Sequence, residues 1–105
     1  MTVTYILQGN RPVPEPDLEA WQHWFSTANR HVADTQVGLL RVSTVFIGLN
    51  PRPFGGAPLL FETMILKGPS EEPTGYQERC STWEEAEEMH KRAIQHARSL
   101  RPKHR

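Results

Sequence analysis

The eight residues Val42-Ser43-Thr44-Val45-Phe46-Ile47-Gly48-Leu49 constrain the fold more than any other stretch of the chain. Along their approach Leu40, Val42, Thr44 and Phe46 alternate with Arg41 and Ser43, the period of a β-strand. Val45, Ile47 and Leu49 add apolar groups to the opposite face, so the run reads as a central strand covered on both faces at its far end. The rest of the chain is expected to build around it.

Val3 to Leu7 is a strand candidate ended by Gly9-Asn10. Pro12-Val13-Pro14-Glu15-Pro16 follows; its fixed φ angles suggest an extended connector that crosses without pairing. Asp17 offers a side-chain acceptor to a helix start, and Leu18, Trp21, Phe25 and Ala28 recur at helical spacing with Trp24 beside them. His31 to Val37 reads as a strand, with Gly38 placed for a tight turn into the central run. Asn50 to Pro58 is a Pro/Gly loop, and Leu59 to Leu66 resumes as a strand paired antiparallel across it. Lys67 to Gly75 is expected to be a second, flexible loop, and Tyr76 to Cys80 a short edge strand.

The last helix is the best-marked element. Ser81 with Glu84 and Thr82 with Glu85 are overlapping capping-box spellings. Trp83, Ala86, His90, Ala93, Ala97 and Leu100 then form an apolar stripe, flanked by Met89 and Ile94. Glu87 with Lys91 and Glu88 with Arg92 are spaced as i,i+4 pairs; acids crowd the start, bases the end, and Pro102 stops the helix. Residues 101–105 form a basic tail.

A chain of 105 residues accommodates one domain, here residues 1–105. The order β-α-β-β-β-(β)-α with hairpin connections gives an α+β class, a small antiparallel sheet of three to five strands with two helices packed mainly on one face. Three tryptophans and four phenylalanines exceed what two helices on one face cover. A symmetric homodimer or larger ring is therefore expected, meeting through the face with Val45 and Ile47. Twelve basic and twelve acidic residues cancel, which disfavours both a nucleic-acid partner and an acidic DNA mimic. The single cysteine, Cys80, has no internal disulfide partner, and no apolar run approaches the roughly 18 residues of a membrane span. A cytoplasmic location without a membrane partner is expected.

Chemistry is concentrated in the loop 50–58. Asn50, Arg52, Phe54, Gly55 and Gly56 combine a cationic fork, a stacking ring and glycine amides that a ligand can approach closely, a set suited to a planar phosphate-bearing molecule. The alternative is that these residues only shape a long connection. Glu62 is a charge in an apolar strand; pointing inward it needs Arg41, Arg52 or Arg79, and pointing outward it guards the sheet. His31 and Asp34 with His90 or His96 could assemble a metal site, but His90 on the apolar stripe is better read as a hydrogen-bonded core or interface histidine. Cys80 lacks a glycine turn or an evident base and reads as a buried structural thiol. No cofactor, metal or catalytic residue is assigned.

At Val42 to Leu49, Pro58 to Met64 and Ser81 to Glu87 the chain resembles small proteins of bacteriophages and prophages that have no established activity. Where those proteins often read Asp-His after the central strand, this chain has Asn50-Pro51, and no catalytic residue carries over. The resemblance implies an accessory, counter-defence role in a host cytoplasm. The expected function is non-enzymatic binding of a nucleotide-like anionic small molecule. The alternatives are a protein-binding inhibitor of a host protein and a small metal-dependent hydrolase.

Overall fold

The computed structural model describes residues 3–51 and 55–100. In chain order these contain β1 (Tyr5–Gln8), β2 (Arg11–Pro14), α1 (Leu18–Thr27), β3 (His31–Val37), β4 (Leu40–Phe46), β5 (Phe61–Lys67), β6 (Glu72–Cys80) and α2 (Trp83–Ser99). β3 to β6 form an antiparallel meander in sequence order, and β1 with β2 form a separate ribbon. The class is α+β, as the element order implied.

β4 and β5 occupy the centre of the meander, in the register Val42↔Ile65, Thr44↔Thr63 and Phe46↔Phe61. The side chains of these pairs are buried and face α2, whose Ala86, Met89, His90, Ala93 and Ala97 are buried in return. The small alanines let the helix approach the sheet closely. Phe46 also receives the edge of Trp24 from α1, ring centroids 5.7 Å apart, so both helices meet this face, α1 at its end. Two apolar clusters result, one around Val42, Ile65, Ala93 and Ala97, the other around Phe46, Phe61, Ala86 and Met89.

Three expectations about the strands are corrected. Pro12 and Pro14 do pair: β2 lies opposite β1 in the register Tyr5↔Pro14 and Leu7↔Pro12. The Glu15 N–H donates to the Thr4 carbonyl at 2.8 Å, and the same alternation aims Arg11 and Val13 at β1 while both prolines face outward, where no donor is needed. The central strand ends at Phe46, three residues early; Gly48 adopts φ +66° and turns the chain out of the sheet, so the strand does not run on to Leu49. Finally, the loop expected over 67–75 is only a turn, because β6 begins at Glu72. Its Pro73 is tolerated on an edge strand, and a register irregularity opposite Met64 and Leu66 absorbs Gly75 at φ +93°.

The helix ends follow their spelling. Asp17 accepts from the N–H groups of Glu19 and Ala20. Of the two boxes before α2, the Thr82–Glu85 one forms, and the Glu85 carboxylate also accepts from Ser81 N–H. The expected i,i+4 pairs do not form: Lys91 meets Glu88 one turn back at 3.1 Å, and Arg92 reaches across to Glu78 of β6 at 3.2 Å. The ends of the apolar stripes are also wet, with Leu18 and Leu100 exposed.

Candidate functional site

The connection between β4 and β5 is held at both feet. Ile47 N–H donates to the Leu60 carbonyl at 2.7 Å, closing the loop where the sheet stops. On the outgoing limb Asn50 N–H donates to Val3 O at 2.8 Å, Tyr5 N–H donates to Gly48 O at 2.8 Å, and Thr4 bridges Leu49. The N-terminal ribbon thus extends an extra strand alongside residues 48–50. Thr4 is itself fixed, its hydroxyl donating to the Glu15 carbonyl.

Gly48 is the tightest point of this joint. A Cβ there would lie 2.9 Å from the Tyr5 carbonyl oxygen and 3.3 Å from Trp21 Nε1, in addition to the strain of its positive φ. Trp21 Nε1 donates to that same Tyr5 carbonyl at 3.0 Å, so helix α1, the ribbon and the loop converge on one glycine. Arg30 closes the other side: its guanidinium lies 3.8 Å over the Phe25 ring and donates to the Phe46 carbonyl at 3.0 Å. Burial lowers its pKa from the ordinary arginine value. Neither role was read from the sequence; the Gly after an apolar run was the available signal for Gly48.

Of the residues expected to bind a ligand, Asn50 is buried at the anchored foot, and Gly55 and Gly56 are exposed with φ +80° and +74°. Open space lies beyond the Gly55 Cα. Arg52 and Phe54 lie outside the described residues. Glu62 projects from β5 onto the face opposite α2, where its carboxylate is taken by Arg79 at 3.0 Å and by the Gln77 amide. The structure therefore brings Asn50 and the two glycines into one loop and engages Glu62 with β6.

The remaining candidates are structural. His90 is buried with both ring nitrogens bonded, Nδ1 to Thr44 Oγ1 at 2.7 Å and Nε2 to Thr35 Oγ1 at 2.9 Å; Thr44 continues to Thr63 Oγ1 at 2.5 Å. A neutral imidazole has one donor and one acceptor nitrogen, so the hydroxyls satisfy the ring completely. Burial favours that neutral form and lowers the His90 pKa, against a smaller opposing effect of Asp34. The trio His31, Asp34 and His90 does not assemble, and no three His, Cys, Asp or Glu side chains gather as metal ligands among the described residues.

The Cys80 thiol is pushed up to about 11 by burial first and Glu85 next, the opposite of an activated nucleophile. Beside it an open groove of about 580 Å³ includes Arg79, Arg92, Glu84, Glu85 and Glu88. Its arginines are already paired with Glu62 and Glu78, and its acids outnumber them, so it is poorly suited to an anion. His96 lies on the exposed side of α2, stacked on Tyr76 with ring centroids 4.8 Å apart. No helix is long and apolar enough to cross a membrane among the described residues.

No family model, curated protein or solved structure matches this chain.

Proposed function

We propose that this protein is a non-enzymatic binding protein, an accessory factor of the phage counter-defence type, that sequesters a nucleotide-like anion on the loop between β4 and β5. The observation that supports the reading is a loop fixed at its feet and open at its glycines. Ile47 to Leu60 and Asn50 to Val3 hold the ends, while Gly55 and Gly56 present accessible backbone at positive φ. Fixed feet reduce the ordering cost of binding, and bare glycine amides suit phosphate oxygens. Arg52 supplies the cation and Phe54 the stacking face.

Calorimetry against a panel of linear and cyclic nucleotides tests this directly. Binding is expected for at least one, with the ligand recovered unchanged, and Arg52→Ala is expected to weaken it by about 10- to 100-fold. Absence of heat and of thermal shift across the whole panel would sink the proposal.

A second reading, an inhibitor that docks on a host protein, is favoured by the sheet face away from α2. There Val45, Met64 and Leu66 lie half-buried between the Arg41–Asp34 and Arg79–Glu62 ion pairs, an apolar strip with a polar rim. Met64→Lys would abolish retention of a host protein on this reading and leave nucleotide binding intact on the first.

A further inference from the structure

Among the described residues the two sheets have four outer strand edges; that of β1 is engaged at its start by residues 48–50, and the other three are not equivalent. The outer edge of β2 presents Pro12 and Pro14, which have no N–H to offer. The edge of β6 carries Pro73, an irregular register, and Glu78 and Arg79 on successive residues. These are the devices by which proteins keep a sheet from growing. β3 has a bulge between His31 and Ala33 and a single charge beyond it, Asp34, which is held by Arg41 of β4 at 3.3 Å; Ala33 to Val37 are otherwise regular, without proline, glycine or lysine.

The groups that β3 turns outward follow from its turn. Gly38 at φ +61° and Leu39 form a two-residue hairpin loop with Val37 opposite Leu40. The pair flanking such a loop is hydrogen-bonded, so Val37 and Thr35 direct their backbone groups to β4. Asp34 and Gln36 therefore direct N–H and C=O to the free side.

We propose that β3 is a dimerisation edge that pairs antiparallel with β3 of a second copy, making one eight-stranded sheet. The register is selected by charge. Centring the two-fold axis on Asp34 would set two carboxylates opposite each other, which is unfavourable. Centring it on Thr35 sets Asp34 opposite Gln36 of the partner subunit twice, giving four backbone hydrogen bonds and an amide beside each carboxylate. Thr35 then meets its own copy, and Ala33 meets Val37, small side chains on the face that α2 covers. Because Thr35 Oγ1 is bonded to His90, the core network of each copy would end at the shared seam. This contact differs from the face-to-face one suggested by Val45 and Ile47, and it does not depend on the loop's ligand.

Light scattering across a dilution series, with amide exchange of Asp34 and Gln36 followed by NMR in the same samples, tests it on the whole chain. The mass is expected to rise from 12.0 kDa toward twice that value, and protection of these two amides to rise with it. Asp34→Pro, which deletes an outward donor without touching the ladder to β4, is expected to hold the protein monomeric with an unchanged circular dichroism spectrum. Should that variant unfold, the wild-type exchange series decides alone. A mass of 12 kDa at the highest soluble concentration overturns the proposal. So does a dimer whose Asp34 and Gln36 amides exchange freely, or one dissociated by Met64→Lys and not by Asp34→Pro.

Discussion

His90 joins two kinds of order in one side chain. Its position on α2 is helical and local, yet its two nitrogens reach Thr35 and Thr44 on neighbouring strands, and Thr44 reaches Thr63 on a third. This polar chain crosses the core between the two apolar clusters and fixes how far α2 can slide along the sheet. His90→Leu should cost about 1–3 kcal/mol in urea unfolding, since it strands buried hydroxyls. The same residue sets a pH dependence. Its folded pKa lies below the unfolded value of 6.5, so the unfolded chain binds the extra proton first as pH falls. Stability is expected to decline below pH 6.5 until the folded value is passed, and His90→Gln should flatten that part of the urea-midpoint profile. Gly48 is the other decisive residue. Gly48→Ala should destabilise the protein by about 1–3 kcal/mol, because positive φ and the Tyr5 carbonyl both reject a Cβ.

At the scale of elements, α2 carries its instructions in its own sequence. The Thr82–Glu85 box closes as spelled, and Thr82→Ala should cost about 0.5–2 kcal/mol by thermal or chemical denaturation. The hairpin at Gly38 and the full extent of β3 were legible for the same reason: a turn glycine next to an alternating run is local information. β2 and the first part of β6, before Tyr76, were not. Pro12, Pro14, Pro73 and Gly75 read as loop because they are poor in a central strand, and only the topology reveals that each belongs to an edge. The candidate loop was legible as composition, in Asn50, Gly55 and Gly56, but its anchoring was not. Nothing local to residues 48–50 says that Val3, Thr4 and Tyr5 will bond to them. His90 was placed in the core by its stripe, while its threonine partners depend on cross-strand register that no single segment holds. Cys80, at the end of β6, should resist alkylation until the pH approaches 11, measured with a small haloacetamide on the folded protein.

At the scale of the whole molecule, both sheets pair consecutive strands, but the ribbon docks through a contact between distant parts of the chain. Every pairing in the β3–β6 meander joins consecutive strands, whereas Thr4 must find Leu49 across the first half of the sequence. Closing the hairpins of the meander costs less chain entropy than that, and α2 folds back onto the formed sheet through the short link after β6, so the meander and α2 are expected to form before the ribbon and α1 dock. Stopped-flow tryptophan fluorescence can separate the two steps, since Trp21 reports on the ribbon contact and Trp83 on the α2 cluster. A Trp21→Phe variant that keeps the fast phase and loses slow amplitude is the expected result. For a chain emerging from a ribosome the order has a direct meaning: the ribbon is made well before residues 48–50 and must wait for them. The loop that carries the proposed site receives its outer brace only when that previously made segment returns.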